Sequence, residues 1–217
     1  MVESKKTYLY LHGFASSPQS RKAQYLQERF QDLQLNLHLP DLNQGDFSQL
    51  TLTRQLQQIE AEFSPQTTKK RVIIGSSFGG LTAAWLTQRS FKADQLILLA
   101  PAFQFLNYWL PKLGTAQLEQ WKTEGYYSVY HYSEQRQLPL SYQFIEDLFQ
   151  YPDEQLQTPV PTLILHGKQD EMIPIQASRD FAETRPWVKL IELESDHSLG
   201  NVLDKIWSEI LPLLELQ

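Results

Sequence analysis

Short apolar runs alternate with amphipathic stretches along most of this chain. Thr7–Leu11, Leu35–Leu39, Val72–Gly75, Gln95–Ala100, Pro161–His166 and Val188–Leu193 are compact and rich in Leu, Ile, Val and Tyr. Each is bounded by Gly, Pro, Asn, Asp or Ser, the pattern of a buried strand. The stretches between them repeat at helical spacing. After Ser17-Pro18, read as an N-cap with proline at the first helical position, Leu26, Phe30 and Leu33 share one face. Ser48–Phe63 carries Leu52, Leu56, Ile59 and Phe63 on one stripe and is closed by Ser64-Pro65. Leu81–Arg89, Ile175–Glu183 and Leu199–Leu214 complete the helices, and Pro212 is expected to bend the last turn of the final one. Strands separated by helices imply βαβ units, hence a mostly parallel sheet of about six strands with helices on both faces, an α/β fold.

The alternation breaks after Pro101. Residues 102–155 are a quarter of the chain yet hold half of its Phe, Tyr and Trp. A short helix near Thr115–Thr123, a hairpin around Tyr126–Leu140 and a helix from Ser141 to Gln150 are expected there. Repeats, low-complexity tracts and flexible linkers are absent from the sequence, so one domain over 1–217 with a cap inserted at about 102–155 is the economical reading.

Composition narrows the function. A chain of 217 residues, 41% hydrophobic and 20% charged, is long enough for a full core. Its formal charge of −6 offers no basic field, which argues against nucleic acid or an anionic membrane as partner. With no cysteine, thiol nucleophiles, disulfides and thiolate metal sites are excluded. The start, Met1 to Thr7, has no signal-peptide apolar region, and no apolar run is long enough to span a bilayer. The cytoplasm is the expected compartment. No cofactor or metal site is expected, and no oligomeric state is read from the sequence.

Gly75-Ser76-Ser77-Phe78-Gly79 fits Gly-x-Ser-x-Gly, with a strand before it and a helix after it. In that context the turn lifts a serine hydroxyl above the sheet edge, making Ser77 the candidate nucleophile. The alternative is a glycine-rich turn whose serine only caps the helix. In open α/β sheets the working groups lie beyond the carboxyl ends of the strands, so partners of Ser77 should follow strands directly. A serine needs a histidine to accept its proton, and the histidine needs a carboxylate to fix its tautomer. Of five histidines, only His197 lies beyond both the elbow and a later strand end, between Val188–Leu193 and the last helix. Asp170, in the loop after Pro161–His166, is the candidate acid, chosen over Glu171 and over Asp196, which abuts the histidine and reads as a turn former. The backbone N–H of Phe78, after the nucleophile, and that of Phe14, in the loop His12-Gly13-Phe14, are the candidate oxyanion donors, with Ala15 as the neighbour alternative. His12 and His166 are expected to hold their loops. A dinucleotide-binding reading fails because the loop after the first strand carries one glycine rather than three.

With these residues in hand, the chain resembles an α/β-hydrolase over essentially its whole length. Its opening, Tyr10-Leu11-His12-Gly13-Phe14-Ala15-Ser16-Ser17-Pro18-Gln19-Ser20, is similar to that of the small bacterial YqiA/YcfP-like (UPF0227) esterases. The resemblance implies ester hydrolysis by a Ser-Asp-His triad carried onto Ser77, Asp170 and His197. Two features depart from it: the two N-terminal strands of larger α/β-hydrolases are missing, and the 102–155 insertion is longer than a minimal esterase of this type would have. The expected substrate is a small carboxylic ester, with thioester, lactone or carbon–carbon bond hydrolysis, or a binding protein on a hydrolase scaffold, as alternatives. Because the cap has no basic cluster, a neutral ester or thioester is expected over a phosphorylated one.

Overall fold

Backbone pairing turns the apolar runs into one six-stranded sheet. The computed structural model describes residues 6–63, 69–89 and 91–214. The strands are β1 (Lys6–Leu11), β2 (Leu37–His38), β3 (Lys70–Ser76), β4 (Gln95–Leu99), β7 (Thr162–Gly167) and β8 (Val188–Leu193), in the order β2-β1-β3-β4-β7-β8 and all parallel. A second sheet is the antiparallel hairpin β5 (Tyr126–His131) and β6 (Arg136–Ser141). Helices link the parallel strands, because a parallel connection must cross from one end of the sheet to the other.

Alternation along each strand sends side chains to opposite faces. Tyr8, Tyr10, Val72 and Ile74 face a core shared with α1 (Arg21–Asp32) and α8 (Leu203–Ile210). Leu9, Leu11 and Ile73 face the other core, with α2 (Leu52–Glu62), α3 (Phe78–Gln88) and α7 (Gln176–Glu183). The third helix is apolar all round, and Phe78 to Thr87 are all buried, as expected of a helix sandwiched between sheet and insertion. The register sets Leu11 opposite Gly75, Ser76 opposite Leu99, and Gly167 opposite Leu193. Loops that lie far apart in sequence therefore leave the sheet side by side.

The structure departs from the periodicity at several ends. Ser17 does not cap a helix. Its carbonyl accepts from Ser20 N (3.1 Å) and its hydroxyl from Gln19 N (3.1 Å), closing a turn, so α1 starts only at Arg21. The Ser48–Phe63 stretch divides into a 3-10 turn (Phe47–Gln49) and α2, because Thr51 accepts from Arg54 N (3.1 Å) and restarts the helix at Leu52. The Ser64-Pro65 stop lies outside the described residues. The final helix begins at Leu203, four residues after Leu199, whose φ is 56°; Pro212 ends it in a 3-10 turn over Leu211–Leu213.

Within 102–155, α5 (Thr115–Glu124), the hairpin and α6 (Gln143–Leu148) stand where helix, hairpin and helix were expected. The helix α4 (Phe105–Leu113) was not anticipated. It contains Pro111, and its chain enters through Gln104 at φ 53°, two features that argue against a helix locally. Ties from this segment to the rest include Asp147, which accepts from Thr53 N and Oγ1 (2.9 and 2.5 Å), Gln104 Nε2, which donates to Asp180 (3.1 Å), and Tyr132 N, which donates to Ala15 O (2.9 Å). No helix among the described residues is long and apolar enough to cross a membrane.

Candidate active site

The end of β3 and the start of α3 are joined by one residue, Ser77, at φ 52° and ψ −117°. A non-glycine residue pays for this conformation, on the order of 1–3 kcal/mol, and keeps it only where the surroundings dictate it. Here they do. Ser77 N donates to Leu99 O (2.9 Å), and Ser77 O accepts from Gly80 N (2.8 Å) and Ala102 N (3.0 Å). The turn also closes because its glycines have no side chain. A Cβ on Gly75 would stand 2.6 Å from Gly80 Cα, and one on Gly79 would strike the carbonyl oxygens of Leu11 and His12. Gly79→Ala is therefore expected to destabilise the fold by about 3 kcal/mol or more, the upper range for overpacking, since the obstacle is backbone. A denaturant titration reads this as a lowered midpoint; an unchanged midpoint would mean that the β1 loop can retreat.

His197 follows β8, and Asp170 follows β7. His197 Nε2 lies 2.9 Å from Ser77 Oγ, and His197 Nδ1 lies 2.7 Å from Asp170 Oδ2. Three residues at three strand ends thus form one hydrogen-bonded chain. Since the carboxylate can only accept, Nδ1 carries the proton and Nε2 presents its lone pair to the serine hydroxyl.

Asp170 is buried and saturated. Its Oδ1 accepts from Met172 N (2.9 Å) and Ile173 N (2.8 Å), and its Oδ2 from His197 and from His166 Nε2 (3.0 Å). Burial alone would push its carboxyl up. The hydrogen bonds from His166 and His197, the His197 charge and the Ile173 N–H outweigh it and hold the group well below the usual carboxylate range. His166 is itself buried, with Nδ1 2.7 Å from Ser178 Oγ. Its grip on the acid was missed at the sequence level, although the four-residue spacing from His166 to Asp170 was visible. His12 holds its loop as expected: Nε2 accepts from Leu42 N (2.9 Å), and Nδ1 faces Gly13 O (3.0 Å). Asp196 accepts from Ser198 N (2.9 Å) and Oγ (2.6 Å), the geometry of a turn.

The β1 loop packs directly on the serine; a Cβ on Gly13 would lie 3.2 Å from Ser77 Cβ. Among the described residues, the N–H groups of Phe14, Ala15 and Phe78 donate to no protein acceptor. A cavity of about 1100 Å³ opens over Ser77 and His197, with Phe14, Phe105, Trp109 and Tyr127 on its wall. Phe14 sits within 5.2–6.3 Å, ring centre to ring centre, of Phe47, Phe78, Phe105, Trp109 and Phe144. The aromatics of 102–155 thus divide. Phe103, Trp121 and Phe144 are buried, Trp121 donating to Leu140 O (2.9 Å), while Phe105, Trp109 and Tyr127 border the cavity. No group of three or more His, Asp or Glu among the described residues could hold a metal ion.

Comparison with solved structures places the fold in a known architecture. The chain superposes on alpha/beta hydrolase domain-containing protein 10 from mouse with a TM-score of 0.76 at 20% identity, covering 96% of this chain and 90% of that one. It matches Est1E from Butyrivibrio proteoclasticus with ferulic acid bound (TM-score 0.74, 19% identity, 97% and 90% covered). It also matches a monoacylglycerol lipase from Paleococcus ferrophilus (TM-score 0.74, 15% identity, 95% and 92% covered). No curated protein matches the sequence. The model of an uncharacterised protein family, UPF0227, matches residues 7–214. The chain, an α/β-hydrolase in fold, belongs to the UPF0227 family.

Proposed function

We propose that this protein is a serine hydrolase that cleaves carboxylic esters through an acyl-enzyme. The observation that carries the reading is the hydrogen-bonded chain from Ser77 through His197 to Asp170. Ser77 Oγ attacks the acyl carbon while His197 Nε2 takes its proton, and the imidazolium is stabilised by Asp170. Negative charge gathers on the former carbonyl oxygen, where the free N–H groups of Phe78 and of Phe14 are the proposed donors. His197 then protonates the leaving alcohol. A water activated by the same imidazole releases the acid and restores Ser77. Residues 102–155 act as a cap, whose Phe105, Trp109 and Tyr127 offer an apolar surface to the substrate. The ferulic acid bound to Est1E supports an aromatic-tolerant pocket on this fold.

A fluorophosphonate probe tests the nucleophile directly, because it reacts only with a serine activated by an adjacent base. Peptide mapping of the labelled protein is expected to find the adduct on Ser77, with Ser76 unmodified. An unlabelled Ser77 in folded protein would return the chain to the class of binding proteins built on a hydrolase scaffold.

A further inference from the structure

We infer that the ester taken up at Ser77 carries a carboxylate, which Lys22 and Arg21 hold at the polar end of the cavity. This rests on the reading of Ser77 as nucleophile. The cavity is two-sided in character: Phe105, Trp109 and Leu113 border it as apolar surface, while Arg21, Lys22 and Ser20 border it as polar surface, along with Ser77 and His197. Lys22 is half-buried, and among the described residues its ammonium makes no hydrogen bond and no ion pair. A partly desolvated cation with no bonded partner is costly and is expected where a ligand supplies the missing charge. Burial pushes the Lys22 ammonium down to about 8, against the pull of Asp170 and Asp196.

The local backbone adds to the argument. Arg21 and Lys22 open α1, whose first turn contains no acidic residue, so two cations stand at the positive end of a helix. That arrangement opposes the helix dipole unless an anion joins it. The N-cap residue, Ser20, makes no side-chain cap bond. The positive field therefore has no side-chain acceptor of its own at the point where it borders the nucleophile. Charge also limits the ligand. Asp196 and Glu171 border the same cavity, and Asp170 lies close by, so a doubly charged phosphate would be repelled where a single carboxylate is accommodated. The neutral ester expected from a cap without a basic cluster gives way to this reading, because the basic pair comes from α1 and not from the cap.

Two matched pairs of esters test it: 4-nitrophenyl glutarate against its methyl-capped counterpart, and 4-carboxyphenyl butyrate against its methyl ester. The first pair places the carboxylate on the acyl side and the second on the leaving group. One anionic member is expected to exceed its neutral partner in kcat/KM by about 10- to 100-fold, the range of a charge-assisted hydrogen bond. Lys22→Met should collapse that ratio mainly through KM, Lys22→Arg should restore part of it, and Arg21→Gln, at an exposed position, should reduce it less. Asp170 and Asp196, from the loops after β7 and β8, act on Lys22, and Glu171, His197, Tyr10 and Arg21 share the cavity with it. Tyr10, pushed up to about 12 by burial, stays neutral, and His197 serves both members of a pair alike. The ratio should therefore fall as pH rises through about 8, where Lys22 loses its charge. Equal kcat/KM within both pairs overturns the inference, as does a preference that survives Lys22→Met, or a Lys22→Met variant that lowers both members in step. Retained turnover of the neutral esters by Ser77→Ala would instead sink the nucleophile and leave the ratio to be explained at another serine.

Discussion

Ser77→Ala is expected to lower kcat for an activated short-chain ester by about 10⁴-fold or more while leaving the thermal midpoint in place. On the proposed mechanism, the loss follows from removing the hydroxyl that lies 2.9 Å from His197 Nε2. The fold should tolerate the change because alanine keeps the Cβ, and the elbow is set by backbone: Ser77 N to Leu99 O, with Gly80 N and Ala102 N on Ser77 O. The neighbouring Ser76 cannot substitute, since it is the last residue of β3, buried and paired in register with Leu99. Steady-state kinetics with a melting curve on the same sample reads both quantities. Turnover above a few per cent of wild type would remove Ser77 from the mechanism.

Asp170→Asn is expected to reduce kcat/KM by about 10³- to 10⁴-fold through the tautomer of His197. The carboxylate accepts four hydrogen bonds, two on each oxygen. An amide has one accepting oxygen. Turned toward the imidazoles, that oxygen leaves an NH₂ facing the N–H groups of Met172 and Ile173, each unpaired group costing about 1–3 kcal/mol. Turned the other way, the NH₂ meets the imidazoles and drives the proton of His197 to Nε2, which then cannot accept from Ser77. Both orientations are damaging, so activity and stability fall together.

The acid limb of the stability curve separates the two contributions. A carboxyl held low in the folded state contributes stability that is complete above the ordinary carboxylate range, about pH 4, and is lost as pH falls through its folded value. The gap between wild type and Asp170→Asn should accordingly be widest near neutral pH and narrow in strong acid. A gap independent of pH would mean that the variant merely repacks the loop.

Much of this arrangement is legible in the amino-acid sequence. The strands announce themselves because each is a short apolar run in a doubly covered sheet, and Val188–Leu193 coincides with its strand at both ends. Ser77, Asp170 and His197 could be located because a parallel sheet aligns its strand ends, so that order in the chain becomes proximity in space. What escaped notice depended on tertiary context. The fourth helix, Phe-Leu-Asn-Tyr-Trp-Leu-Pro-Lys-Leu, has only Asn107 and Lys112 as polar residues and a proline between them, and it is held against an aromatic cluster contributed by Phe14 and Phe144 as much as by its own residues. Ser17-Pro18 has the composition of a helix start, but a serine hydroxyl can close a turn equally well, and only the neighbouring backbone decides. His166, read only as holding its loop, and Lys22 depend on tertiary context in the same way. Their significance lies in what stands opposite them, Asp170 in one case and an unpaired stretch of cavity wall in the other.

The bond from Tyr132 N to Ala15 O joins the tip of the hairpin to the loop that supplies the proposed Phe14 donor. On the proposed mechanism, the hairpin that borders the pocket and the loop that stabilises charge on the substrate oxygen are sewn together by main chain. Diversification of this hairpin within the family would then be constrained in backbone geometry even where its side chains are free to change. Specificity could drift by exchanging residues on the strands, while the turn that carries Tyr132 keeps its length as a spacer for catalysis.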